Sequence, residues 1–262
     1  MITAKPTEHL AGITLEGEYS DFYEIVESIY RMTGLEENYD DRYWSVKNRL
    51  LGICYDIRHA YMGDRTITLA NNGVHDEMMK WTSMILPKQN VHYSVEVMFP
   101  EAVFVALSVP EMYVWSAIYY GDRARKLKKK NPDREMITQK YGDYLRDKAV
   151  LDTLCSVILS ALAEVIGDEE LEKLLHLKDL HSYGNAFEHY AAQYVDKCNV
   201  EYLKTVPEKR KDKLRNIAKR LANKPSAYDH MKWDLEDTAR AHHCSIHQLR
   251  DPSLEYPEEI EW

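Results

Sequence analysis

The sequence predicts an α+β fold: a small mixed or antiparallel sheet with helices, followed by an all-helical C-terminal half. Three observations carry this. Short alternating, β-branched segments occur before residue 110. From Glu111 onward the apolar spacing is helical. With 262 residues, 45% apolar and 29% charged, the composition supports a real core and is neither disordered nor membranous.

Ile13–Gly17 reads as a short strand closed by a glycine turn. Ser20 is the expected N-cap of a helix carrying Phe22, Ile25, Val26, Ile29 and Tyr30 on one face, stopped by Gly34. Glu36–Arg42 is polar and reads as a loop. Val46–Tyr61 is a second helix, with Val46, Leu50, Ile53, Cys54 and Ile57 aligned and Gly63 at its end. Arg65–Leu69 alternates as a strand does, and Asn71-Asn72-Gly73 is a turn. Asp76–Leu86 is a helix bounded by Pro87. Val91–Val97 alternates again, and Pro100-Glu101 signals a turn. Ala102–Val109 is almost wholly apolar, the pattern of a buried central strand hairpinned to 91–97.

Helices are expected at 111–130, 133–166, 168–177, 182–204, 208–223 and 228–248. Leu214, Ile217, Ala218 and Leu221 make one apolar stripe, flanked by Lys211, Arg215 and Lys219. Pro252 and Pro257 keep the acidic end from being helical, and Trp262 suggests that this end is docked. The division expected is an α+β domain at 1–122, a helical domain at 123–250 and an acidic tail at 251–262.

No secretory leader is expected from the first residues. Ala149–Ile166 is about one membrane span long, but Asp152 and Glu164 interrupt it, so a buried helix and no membrane association are expected. Cys54, Cys155, Cys198 and Cys244 are scattered without a C-x-x-C pair, which excludes a disulfide framework or zinc ribbon and points to a reducing, cytoplasmic setting. Nineteen tyrosines against four phenylalanines favour half-buried positions, grooves and interfaces. G-x-x-x-x-G-K-[ST], G-x-G-x-x-G and G-x-S-x-G are all missing from the sequence, so no cofactor is expected.

Charge is segregated. Net charge is −9, yet Arg123, Arg125, Lys126, Lys128, Lys129 and Lys130 form one basic run. Lys209, Arg210, Lys211, Arg215, Lys219 and Arg220 belong to another. Acids concentrate at Glu16–Asp41 and Asp234–Trp262. The two runs are candidate anion or nucleic-acid contacts if they share a face; otherwise they are solvated helix faces or partners for the acidic ends.

The segment Cys54–Arg65 is dense in polar groups: Tyr55, Asp56, Arg58, His59, Tyr61, Asp64 and Arg65. On a helix, Tyr55 and Asp56 reach His59, and an aspartate beside a histidine makes a base; the alternative is a structural network joining helix to strand. The I-T-L-x-G strand, the D-F helix and Y-D-I-R-H-A-x-x-G-D-R together resemble an uncharacterised bacterial domain family over about residues 13–120. That resemblance implies a bacterial or mobile-element origin, with a defence context possible, and supplies no catalytic residues.

Arg240 and His247 are seven apart, two helical turns, and so share a face. That spacing resembles the R-x4-6-H pattern of HEPN ribonucleases, although Ala241 stands where that family usually has a polar residue. The resemblance implies metal-independent RNA cleavage at a dimer interface, with Arg240 on phosphate and His247 in acid–base work. His243 and His247, at i and i+4, also fit zinc spacing, with Cys244 pointing away and His230 as a distant third ligand. An HD-type phosphohydrolase would use His59, His75-Asp76 and one of Asp143, Asp147 or Asp152. The reading chosen is a non-enzymatic binding or regulatory protein that docks a protein partner or nucleic acid, with a homodimer possible and metal none; the ribonuclease is the alternative.

Overall fold

A computed structural model describes residues 1–34, 42–130, 132, 139–182 and 186–262. The strands are β1 (Thr3–Pro6), β2 (Gly12–Gly17), β3 (Thr66–Asn71) and β4 (Gln89–Met98). Between them lie α1 (Tyr19–Thr33), α2 (Trp44–His59) and α3 (Asp76–Thr82). After them come α4 (Phe99–Ser116), α5 (Gly121–Lys130), α6 (Tyr141–Ile166), α7 (Asp168–Ser182), α8 (Gln193–Leu203), α9 (Pro207–Asn223) and α10 (Ser226–His242). The α+β class holds. The loop expected at Glu36–Arg42 lies outside the described residues except for Arg42, as do the start of the helix expected at 133–166 and residues 183–185 of that expected at 182–204.

The strands form one antiparallel sheet in the order β1-β2-β4-β3. Ile13 faces Val97 and Leu15 faces Val95; further along β4, Tyr93 faces Ile67 and Val91 faces Leu69. Directly opposed residues share a face of the sheet. Ile13, Leu15, Val95 and Val97 are buried there under the helices. The same face continues to Ile67, Leu69 and Val91, which are exposed.

The strand expected at 102–109 is instead the middle of α4, and the hairpin with 91–97 does not form. β4 pairs with β2 and β3. Every residue from Phe99 to Val109 is buried, because α2, α6, α8 and α9 surround α4. A helix buried on all sides has no polar face and hence no 3.6-residue period, so its sequence looks like that of a central strand. Pro100 sits in the first turn, where its missing N–H costs nothing, and Pro110 lies on an exposed part of the helix. By length and composition alone, α4 and α6 could each cross a membrane; here 67% and 44% of their apolar windows are buried in the protein.

Smaller departures also have local causes. β1 was not expected from its four residues, Thr-Ala-Lys-Pro, but pairs with β2. The first helix is capped at Glu18, not Ser20: the Glu18 N–H donates to Asp21 Oδ2 at 3.1 Å. Nine tyrosines are buried rather than half-buried. Several of their hydroxyls find partners inside: Tyr113 donates to Asp152 (2.9 Å), Tyr144 to the Tyr113 carbonyl (3.2 Å) and Tyr120 to Asp147 (2.9 Å), whereas those of Tyr43 and Tyr190 have none among the described residues.

Three polar knots tie the elements. Asp147 on α6 is fully buried and accepts from Ser28 Oγ at 3.1 Å, Arg31 Nε and Nη2 at 2.8 Å each, and Tyr120 at 2.9 Å. Arg49 on α2 pairs with Glu101 at 3.1 Å and Asp196 at 2.7 Å, while Asn199 donates to Glu101 at 3.0 Å. Arg210 on α9 donates to the carbonyls of Thr205 (3.1 Å), His9 (2.7 Å) and Glu261 (2.8 Å). The third knot docks the acidic tail. The His9 N–H also donates to the Trp262 carbonyl at 3.0 Å, and Tyr256 donates to Asp196 at 3.2 Å.

Candidate functional site

The polar cluster at Tyr55–Arg65 forms, with different pairings from those expected. His59 Nδ1 lies 2.7 Å from Asp64 Oδ2 rather than near Asp56. Asp56 instead accepts from Arg65 Nη2 at 3.2 Å. Arg58 donates to the Tyr30 hydroxyl at 3.3 Å and lies 5.7 Å from the centre of the Tyr55 ring, which packs on His59 at 4.2 Å. Gly63, at φ +94°, allows a wide turn after α2 that a side chain would strain. These pairs fix the direction in which β3 leaves α2, so the structural reading of the cluster fits the geometry.

Arg240 and His247 do not share a helix. α10 ends at His242, His243 turns the chain at φ +52°, and His247 lies in a separate single turn, Ile246–Gln248. Arg240 is exposed and pairs with Asp237. His247 stacks on Trp44 with centroids 4.0 Å apart. The same break removes the i, i+4 geometry of His243 and His247, and the His230 ring instead packs edge-on to Trp233 at 5.5 Å. The HD candidates are dispersed: His75 caps α3 by accepting from Met78 N–H at 3.3 Å, Asp76 pairs with Lys88 at 2.8 Å, Asp143 accepts from Lys140 N–H at 3.2 Å, Asp147 is in the α1–α6 knot, and Asp152 holds Lys148 and Tyr113. Among the described residues, no group of three or more His, Cys, Asp or Glu side chains is gathered to hold a metal.

The basic runs differ in kind. On α5, Arg123, Arg125, Lys126, Lys129 and Lys130 are exposed, Lys128 is half-buried, and Arg125 pairs with Asp122. On α9 most charges are answered within the protein. Arg210 is buried on three carbonyls; Arg220 and Lys213 hold Glu201, at 2.6 and 3.3 Å; Lys219 holds Glu170 at 2.9 Å; Arg215 pairs with Asp212 at 3.3 Å. Arg220 and Lys213 draw the Glu201 carboxyl below its ordinary pKa against the opposing effect of burial. Lys209 and Lys211 are exposed. Most of this run therefore fastens α9 in place.

A cleft of about 510 Å³ opens between α2 and β4, with Arg49, Asp56, Arg65, Glu96, Glu101 and Trp262 on its walls. Burial pushes the Glu101 carboxyl above its ordinary range, with Arg49 and Asn199 opposing the shift. Both arginines already hold carboxylates, so the charge here is internally matched. The residues of this knot span 150 positions, from Arg49 to Asn199, and the local trace of it is a glutamate at the head of the apolar run Phe99–Val109.

The surface least satisfied by the rest of the molecule is an arm built from β3, α3 and the first half of β4. β3 is an edge strand, and α3 buries none of its residues. Ile67 is 51% exposed, Leu69 62%, Trp81 87% and Ile85 98%, with Met78, Met84 and Val91 also exposed. At the arm's root, Tyr19, Tyr23 and Tyr61 form a ring cluster with centroids 5.2–6.4 Å apart. Exposed apolar side chains of this kind, rich in aromatic and methionine residues, mark protein-interaction surfaces. Its signal in the sequence is the crowding of Trp81, Met84 and Ile85 into a segment otherwise rich in turn residues.

Fold and surface together define an α+β protein with a helix-wrapped sheet and a projecting apolar arm. The chain belongs to the family described as a domain of unknown function, DUF6904, whose profile matches residues 2–262. The match takes in the helical half as well as the segment 13–120 that carried the sequence resemblance. No curated protein and no solved structure matches the chain.

Proposed function

We propose that this chain is a non-enzymatic binding or regulatory protein that docks a protein partner through the β3–α3–β4 arm. The observation that carries the reading is the continuation of the sheet's core face beyond its helices: Ile67, Leu69 and Val91 lie on the face that is buried at Val95 and Val97. An apolar sheet face left in water raises the free energy of the isolated molecule, and a partner that covers it recovers that energy. Nucleic acid fits this arm less well, because Thr66–Val91 carries two acids and two lysines and has no net positive charge.

The test places a photo-crosslinking amino acid at position 81 and, separately, at position 233, another exposed tryptophan site. Irradiation in living cells is expected to give discrete protein adducts from position 81 and none from position 233. Equal labelling at both sites, or none at 81, would overturn the arm as the docking surface.

A further inference from the structure

We infer that the occupant of the arm is a second copy of this chain, joined edge to edge through β3 so that two four-stranded sheets become one continuous sheet. This rests on the reading of the arm as a docking surface and specifies what docks. The first support is the chemistry of the edge. β1, the other edge, carries Lys5 and Pro6, and α6 packs beside it. Lysine and proline are the usual guards against edge pairing. β3, Thr-Ile-Thr-Leu-Ala-Asn, has neither and no charge at all. Its outer backbone groups have no backbone partner among the described residues.

The second support is charge. The chain has a net charge of −9, so two copies repel over most of their surfaces. Thr66–Val91 is neutral, with Asp76 and Glu77 balanced by Lys80 and Lys88. It is a place where a second acidic copy approaches without that penalty.

Third, the register closes on itself. An antiparallel β3–β3 pair about a two-fold axis at Thr68 sets Ile67 opposite Leu69 of the other copy, and Leu69 opposite Ile67. Because opposed residues share a face, Ile67 and Leu69 of one copy pack against Leu69 and Ile67 of the other, and this part of the apolar face is covered by pairing. Centring the axis on Leu69 instead would oppose Ile67 to Asn71.

The test is sedimentation equilibrium of the full chain from 1 to 100 µM, with wild type, Leu69→Asp and Thr68→Lys. Thr68 is exposed, so Thr68→Lys leaves the core untouched while setting two ammonium groups against each other at the axis. Circular dichroism checks that each variant is folded. Wild type is expected at twice 30.7 kDa, and both variants at 30.7 kDa or with at least tenfold weaker association. Thr68→Cys, in a Cys244→Ser background, is expected to form a disulfide-linked dimer on mild oxidation, since an axial residue meets its own copy. A wild type that stays at 30.7 kDa overturns the second-copy proposal. If position 81 still gives adducts with another protein, the docking surface stands with a different occupant. If it gives none, both readings fall. A dimer indifferent to both variants places self-association elsewhere and likewise overturns the proposal.

Discussion

Replacing Asp147 tests whether the α1–α6 knot holds the two halves of the core together. The carboxylate is fully buried and accepts four hydrogen bonds, two of them from Arg31, whose side chain is only 13% exposed. In Asp147→Ala those donors lose their acceptor, and Arg31 is left with Glu27 at 3.4 Å as its remaining ion pair. Removing one member of a buried pair costs about 3–5 kcal/mol. With a urea m-value of about 3 kcal/mol/M, the unfolding midpoint should fall by roughly 1–1.7 M. Asp147→Asn keeps the shape and loses the charge, so it should recover only part of that. The pH dependence has a definite sign. Burial alone would push the carboxyl up, but hydrogen bonds from Arg31, Tyr120 and Ser28 and the Arg31 charge hold it below its ordinary range. Its contribution is therefore complete above the unfolded pKa of about 3.9 and is lost as pH falls through the lower folded value. Asp147→Asn should lose this part of the acid sensitivity. A midpoint for Asp147→Ala within about 0.3 M of wild type would refute the argument that this charge is structurally required.

Two further expectations follow from particular contacts. Arg210→Met should release the tail, read as faster amide exchange at Tyr256–Trp262 with little change in the amides of β4; unchanged exchange there would show that the three carbonyls do not depend on the guanidinium. Gly34→Ala should cost about 2 kcal/mol or more, because φ is +68° and a Cβ would stand 2.4 Å from the Tyr119 ring; a thermal midpoint within a degree of wild type would refute this.

The legible parts of the sequence were those whose burial was one-sided. α1, α2 and α9 each keep a polar face, so their apolar stripes could be read directly, as Leu214, Ile217 and Leu221 show. The period vanished over Phe99–Val109 of α4, where every side is covered and Val103, Val105 and Val109 added a strand-like composition. The arm is hidden in the sequence for the opposite reason. Ile67 and Leu69 alternate as a half-buried strand should, and alternation says which face is apolar without saying whether anything covers it. Arg240 and His247 looked aligned because helix spacing was extended through Cys244, where His243 breaks it with a positive φ. The paired charges of Arg49, Glu101 and Asp196 lie in three elements, and no local pattern joins them.

The grip of Arg210 on the His9 carbonyl spans 201 positions, and that of Tyr202 on the Leu10 carbonyl spans 192. Leu10 itself is held at φ +57°, a conformation costly for a side chain with a Cβ. On the ribosome the chain emerges from its first residue onward. The β1–β2 turn is thus made early, while the groups that secure it are made near the end. Contacts of such long separation carry a large loop-closure cost, so Arg210→Met is expected to raise the unfolding rate more than it lowers the folding rate, read from the two arms of a chevron plot. The turn between the first two strands is in this sense a latch, closed by residues synthesised some two hundred positions after it.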